Sequence, residues 1–408
     1  MSLKNALYLA FHYIFWGKRH LPLTTVLAVV GMAIGVASLI VAMAVMSGFE
    51  STLQKTVVDI AGHLMILKRG AEDQHQALEE VKPLLDGYVA STPFLFLEAV
   101  LAEKGQVAGV GIEGLDEKTF PQVLKVEKRV QEGQLSFIKT NDLPGIVIGK
   151  GIAKSFQLKV GDTIRLVIPI SKGYGGSNFK PKMKKFVING IVSFGLEEFD
   201  SRYIMMDLNE AQNFANVEGH ITGFKIKMKT DEQALQASLR IANEKGQAYY
   251  ISDWQEGNRN LFEAVALEKW IVFFVLLIIV IVACFNIAGT LFISVIRRFK
   301  DISVLKTMGA SSHFILKIFS IQGMVLGALG TFFGLLLGLA ACYGFLYLQS
   351  QYGVISSEVY KLDKIELDFE FLDFIIIFSA SMLICFLATL APARRGALLN
   401  PVEGLQYK

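Results

Sequence analysis

Long apolar runs alternate with polar stretches along this chain in a one-then-three spacing. The first run spans Leu23–Met46; after a long, mostly polar interval come Ile271–Ile296, Ile315–Leu348 and Phe371–Leu390. Each meets the roughly 20 residues that an α-helix needs to cross a bilayer's hydrocarbon core. The pattern predicts an α-helical membrane protein with four transmembrane helices and a large mixed α/β external domain inserted between helices one and two. The expected boundaries are 1–22 (an amphipathic N-terminal helix), 23–47 (helix one), 48–268 (the α/β domain), 269–296 (helix two), 297–313 (a short loop), 314–348 (helix three), 349–370 (an outer loop), 371–391 (helix four) and 392–408 (a tail).

Within the external domain, Ile164–Ile170 follows a Gly161-Asp162 turn and reads as a strand, as does Lys185–Val192. Residues 75–86 and 231–244 carry apolar positions at helical spacing. Residues 171–185 between the two strands hold Gly173, Gly175, Gly176 and Pro181, which predicts a protruding loop. Near the N-terminus, Leu3, Leu7, Ala10, Phe11 and Ile14 share one face of a predicted surface helix.

Charge orients these elements. Lys4, Lys18 and Arg19 precede the first run, Arg297, Arg298, Lys300 and Lys306 follow the second, and Arg394 and Arg395 follow the fourth. The 349–370 loop instead carries Glu358, Asp363, Glu366 and Asp368 against Lys361 and Lys364. By the positive-inside rule both termini and the 297–313 loop are cytoplasmic, and the α/β domain lies outside. The first run is too long for a secretory leader and Lys18-Arg19 sits far from the start, so it reads as an anchor. A hydrophobic share of 52% against 19% charged residues agrees with a membrane protein.

The candidate chemistry is mostly negative. Cys284, Cys342 and Cys385 all fall in predicted spans, so no disulfide is expected outside, and the six histidines show no ligand spacing. Gly149–Ser155 lacks the order of a phosphate loop. No cofactor, metal or catalytic group is expected on this chain, and no nucleic-acid partner. The spans carry essentially no ionisable residue, and no acidic or basic one, between Val272 and Ile296, Ile318 and Leu348, or Phe374 and Ala391, which disfavours an ion-driven carrier.

Small residues are plentiful instead. Gly31 and Gly35 form one G-x-x-x-G pair, and Gly323, Gly327, Gly330, Gly334 and Gly338 stripe the third span, a pattern that lets helix backbones approach closely. After the second span, Asp301–Met308 reads as a short helix with Ile302, Leu305 and Met308 on one face, beside Lys306. Gly309 stops it, and Ser311 or Ser312 caps the next helix. Such a rigid, part-apolar helix suits docking into a partner's groove.

Three segments then resemble the lipoprotein-releasing permeases of the LolC/LolE type, within the wider MacB/FtsX-like superfamily of four-helix ABC permeases: Asp253–Lys269, Val282–Ile287 and Asp301–Ala310. Met46–Glu50, Val359-Tyr360 and the ending Pro392–Arg395 with Asn400–Leu405 extend the resemblance over nearly the whole chain. It implies a transport subunit without ATPase activity of its own. The expected partners are a separate ABC ATPase holding ATP and magnesium, a second permease (a copy or a diverged sister), a periplasmic lipoprotein chaperone, lipoprotein cargo and membrane lipid. Asp301, Ile302, Leu305, Lys306, Met308 and Gly309 would form the ATPase coupling helix. Arg297-Arg298-Phe299 departs from the glutamate-lysine pair usual there, so individual contacts are not carried over.

The resemblance also places a chaperone-binding hook at Tyr174, Phe179, Lys180, Pro181 and Met183. Met43, Met46 and Phe49, with Leu261, Phe262 and Val265, are the expected lining of a cavity for acyl chains, where methionine's flexible thioether adapts to variable shapes. Two other readings stay open: a MacB-like mechanotransmission efflux permease, and an FtsX-like regulator of a periplasmic cell-wall hydrolase.

Overall fold

The computed structural model describes residues 3–15, 23–70, 74–171, 179–352, 367–369 and 371–399. The chain divides into two compact units, one of residues 1–51, 263–355 and 365–408, the other built on residues 52–262.

Among the described residues, four helices are long and apolar enough to cross a membrane. They lie in α2 (Leu23–Ala61), α9 (Arg259–Arg297), α11 (Ser312–Tyr352) and α12 (Phe371–Leu398). The helices outrun the apolar runs that predicted them. α2 continues past residue 47 because Leu53, Val57 and Ile60 keep a buried helical face where composition has turned polar. α9 begins ten residues before 269, and α12 passes through Pro392 to Leu398. Hydrocarbon thickness limits the apolar run, whereas hydrogen bonding and side-chain packing decide where the helix ends.

In the first unit, Met32, Val36 and Leu39 of α2 meet Val280, Cys284 and Ile287 of α9 in a core that Leu326 of α11 and Cys385 of α12 complete. A second core gathers α1 (Leu3–Phe15), α10 (Phe299–Thr307) and the adjoining ends of α9, α11 and α12, around Val295, Ile302, Ile315 and Phe319. α1 turns its small residues to this core. Ala6 and Ala10 are fully buried, while Leu7, Tyr8 and Phe11 are exposed. Small side chains let α1 lie close against its neighbours, and its large apolar ones turn outward.

The second unit is a ten-stranded sheet, in the order β10-β1-β9-β2-β3-β8-β5-β7-β4, with β6 pairing β2 and β7. In chain order the strands are β1 (Leu64–Lys68), β2 (Tyr88–Glu103), β3 (Gln106–Leu115), β4 (Val130–Gly133), β5 (Gly145–Gly149), β6 (Thr163–Ser171), β7 (Phe179–Val192), β8 (Tyr203–Asp207), β9 (Gly223–Met228) and β10 (Tyr249–Asp253). Side chains alternate between faces. Leu95, Ala99, Leu101, Val110 and Ile112 enter one core with Phe156 and Phe214, from the helices α5 (Lys150–Phe156) and α7 (Leu208–Ala215). Phe94 and Leu115 enter another on the opposite face with Ile60 and Phe120.

Polar contacts tie the end of α2 to this sheet: Arg129 donates to Thr56 Oγ1 (3.3 Å) and to Phe194 O (3.0 Å) and pairs with Asp59 (3.5 Å). α3 (Gln74–Val81) and α8 (Asp231–Lys245) cover β1, β9 and β10, and Thr230 caps α8 by accepting from Gln233 N–H. The expected helix over 75–86 ends at Val81 and tightens into a 3-10 turn at Lys82–Leu84, where Pro83 supplies no donor to continue the α pattern.

Candidate functional site

Glycine determines how closely the spans approach. The stripe on α11 meets α12 first, with Leu291 of α9 also 2.7 Å from a Cβ at Gly323, and then α2. A Cβ at Gly323 or Gly327 would overlap Thr389 and Cys385 of α12. One at Gly330 would lie 2.6 Å from Met32 Cγ, and one at Gly334 would lie 2.7 Å from Val36 Cβ and 2.8 Å from the Ala33 carbonyl, all on α2. Gly338 continues that contact against Ile40. The stripe is thus a seam joining α11 to α12 at one end and to α2 at the other. Gly35 packs on Ile279 and Val280 of α9, but no described residue lies within 4 Å of a Cβ at Gly31. Residues four apart differ by about 40° around a helix, which turns Gly31 off that contact face. The expected G-x-x-x-G pair therefore contributes one packing position within the chain.

At the end of the bundle where α2 leaves the first unit, a cavity of about 290 Å³ is lined by Met43, Lys269, Trp270, Phe273, Asp373 and Ile376, among others. Lys269 Nζ stands 3.8 Å from Glu50 Oε2 and 3.8 Å from Asp373 Oδ2, which also accepts from Ser47 Oγ at 3.2 Å. The cavity is apolar in its walls and charged at its rim. Of the six residues expected to line an acyl-chain cavity, it contains only Met43. Met46 and Phe49 are half-buried elsewhere on α2, and Val265 is buried outside it. Phe262 packs edge-on to Trp254 with ring centres 5.0 Å apart, and Leu261 is exposed. Asp373 and Lys269 were not among the expected site residues; their positions at the start of an apolar run and just before another were the available signal.

α10 holds the residues expected to couple to an ATPase, and burial divides them. Ile302 is fully buried and Leu305 half-buried in the core with α1, α11 and α12. Lys306 Nζ donates to the carbonyls of Ala397 (2.6 Å) and Leu399 (2.7 Å), the trailing end of α12. Burial holds its ammonium below the usual lysine range. Asp301, Val304, Met308 and Gly309 face outward. Gly309 takes φ +93°, the left-handed turn that ends the helix, and Ser311 Oγ accepts from Phe314 N–H to start the next. The i, i+3 apolar face read from the sequence is therefore mostly the face that α10 turns to its own chain. Arg298 braces the same corner: its guanidinium lies 3.9 Å over the Tyr13 ring, donates to Tyr13 O at 3.0 Å and pairs with Asp301 at 3.6 Å.

The expected hook is shorter than the predicted loop. β6 and β7 pair from Thr163↔Val187 out to Ser171↔Phe179, so Phe179, Lys180, Pro181 and Met183 are strand residues. Tyr174 lies outside the described residues. Met183 is 61% exposed on the stem. Lys182 Nζ donates to Asn213 O (2.8 Å) and Asn216 Oδ1 (2.6 Å), and Lys184 pairs with Glu210, fastening the stem to α7. Continuous cross-strand pairing explains the difference: a run of lysines reads as loop, yet at alternate positions it fits a hairpin with one solvated face.

Residues 25–243 match the MacB-like periplasmic core domain and residues 273–401 the FtsX-like permease C-terminal region. The chain belongs to the family of membrane permeases that carry this MacB-like periplasmic core domain. Within it, the similarity to lipoprotein-releasing system proteins runs nearly end to end. The chain is 28% identical over 396 residues to the transmembrane protein LolC of Neisseria meningitidis serogroup B, covering 94% of each. It is 29% identical over 409 residues to LolE of Haemophilus influenzae, covering 95% of this chain and 96% of that one. LolC of Haemophilus influenzae is 24% identical over the full length of both.

Proposed function

We propose that this chain is the permease subunit of an ABC transporter that extracts lipoproteins from the bacterial inner membrane and passes them to a periplasmic chaperone for sorting to the outer membrane. The observation that carries the reading is the end-to-end similarity to both LolC and LolE, across the sheet domain and the helix bundle alike. In this reading the termini and the 297–313 loop are cytoplasmic, and the sheet domain is periplasmic between helices one and two. A separate subunit binds ATP and magnesium, and a second permease, identical or a diverged sister, completes the membrane part.

The energetics fit such a division of labour. Withdrawing an acyl chain from lipid costs about 0.8 kcal/mol per CH₂ exposed to water. A multiply acylated anchor therefore needs both an apolar refuge and an external energy source. The cavity with Met43, Trp270 and Phe273 is the proposed first refuge, its Lys269–Asp373 rim matching the polar junction between acyl chains and polypeptide. The outward Leu7, Tyr8 and Phe11 of α1 suit the membrane surface. Reconstitution of the chain with its ATPase in proteoliposomes tests the function: a lipidated protein is expected to appear in the soluble fraction only with ATP, the permease and the chaperone together. Equal release without the permease refutes it.

The segment that joins β6 to β7 is the proposed chaperone hook. Replacing residues 172–178 by an Asn-Gly turn keeps the Ser171↔Phe179 pairing and is expected to abolish chaperone capture in a pull-down while leaving the thermal midpoint of the chain unchanged. Undiminished capture removes the hook assignment.

A further inference from the structure

The sheet domain contains a buried ion pair that the transport reading does not use. Glu113 of β3 and Lys225 of β9 are paired at 2% and 7% side-chain exposure. Lys225 also lies 5.6 Å from the centre of the Phe94 ring, and its Nζ approaches Ile60 O (3.4 Å) and Tyr203 Oη (3.5 Å). Burying two charges is expensive, and the pairing offsets that only when the remaining hydrogen-bonding capacity is met. Here it is not met: Glu113 Oε2 has no hydrogen-bond partner among the described residues.

Glu113 lines a cavity of about 360 Å³ walled by Met65, Phe94, Phe96, Phe199, Tyr203 and Trp254. The indole Nε1–H of Trp254 is the second buried group there without a partner among the described residues. The aromatic cavity thus holds one unmet acceptor and one unmet donor. It adjoins a groove of about 1130 Å³ over β2 and β3 and shares Phe96, Phe199 and Tyr203 with it. Gly109 leaves the groove floor open, since a methyl group added there would meet nothing within 4 Å, and Phe96 and Val100 are exposed along it. From Phe96 to Val100 the strand advances about 13 Å, the length of four extended residues.

We propose that this pocket and groove bind an extended polypeptide segment of a partner, with one apolar side chain in the aromatic pocket and its adjoining backbone amide bonded to Glu113 and Trp254. A secondary amide supplies both missing partners at once, its N–H to the carboxylate and its carbonyl to the indole N–H. A hydrocarbon chain supplies neither and leaves both groups unsatisfied, so the site selects peptide over lipid.

The test uses the full chain in nanodiscs and two fluorinated probes read by ¹⁹F NMR: N-acetyl-4-fluorophenylalanine methylamide, and 4-fluoropropylbenzene as its hydrocarbon counterpart. The amide is expected to bind saturably and more tightly than the hydrocarbon. Trp254→Phe, which keeps the ring against Phe262, is expected to weaken the amide about three- to tenfold, the worth of one hydrogen bond, and to leave the hydrocarbon unchanged. A wild-type measurement guards against a folding defect. Among the three tryptophans, the ¹⁵N-labelled Trp254 indole signal should move on addition of the amide and stay in place with the hydrocarbon. Equal affinity for the two probes, binding of neither (a pocket that holds water alone), or an unmoved indole signal overturns the proposal.

Discussion

Substituting Gly334 by isoleucine is expected to prevent the helix bundle from assembling, and even alanine there should be costly. A single methyl would stand 2.7 Å from Val36 Cβ and 2.8 Å from the Ala33 carbonyl oxygen. The second is backbone and cannot rotate away, so α2 and α11 must separate along the seam that Gly330 and Gly338 share. Overpacking of this kind costs about 1–3 kcal/mol. In lipid it also removes the close van der Waals contact that holds helices together, because no hydrophobic drive compensates. Gly334→Ala should lower the thermal midpoint in detergent by several degrees, at about 2–4 °C per kcal/mol. Gly334→Ile should leave no monodisperse protein on size-exclusion chromatography. Gly31→Ala is the control, with open space around the new methyl and no expected loss of stability. A Gly334→Ala protein as stable as the parent would mean that the seam is not closely packed.

How much of this was legible in the chain depends on the range of the physics involved. Four apolar runs announce four spans because the bilayer imposes a length that composition records directly. The turns beyond those runs went unread. Leu53, Val57 and Ile60 are interrupted by polar residues, and their burial depends on a partner surface supplied by the sheet domain. Glycine spacing marks a close approach but not its partner, so the stripe on α11 was visible while its division between α12 and α2 was not. The aromatic pocket left no local trace at all, since Glu113 and Lys225 meet only through the pairing of β2 with both β3 and β9. The coupling segment shows a subtler limit. Its start and stop signals are local and were readable. Its i, i+3 spacing invites an outward, docking reading of the apolar face, although an apolar stripe on a short helix first satisfies the helix's own core, as Ile302 and Leu305 do.

That inversion leads to the sharpest expectation for the ATPase contact, which rests on the proposed transport function. Met308 is 75% exposed at the end of α10, whereas Ile302 is buried and Lys306 is engaged with the end of α12. Met308→Glu should leave the fold intact, since exposed substitutions usually stay within about 0.5 kcal/mol. It should weaken copurification of the ATPase by about thirtyfold, the loss of one interface hot spot of about 2 kcal/mol. Ile302→Glu should lose both the fold and the partner, because it buries an unpaired charge. Lys306→Met separates anchoring from docking. It strips the Ala397 and Leu399 carbonyls of their donor, at about 1–3 kcal/mol for each group left unsatisfied, yet changes nothing on the outward face. The expected phenotype is an ATPase that still binds but is no longer stimulated by lipoprotein, because α10 moves independently of α12. Titration calorimetry of the ATPase against the three variants, with ATP turnover measured on the same samples, decides the matter. Parent-like affinity in Met308→Glu would place the docking face elsewhere, and stimulated turnover in Lys306→Met would remove α12 from the coupling route.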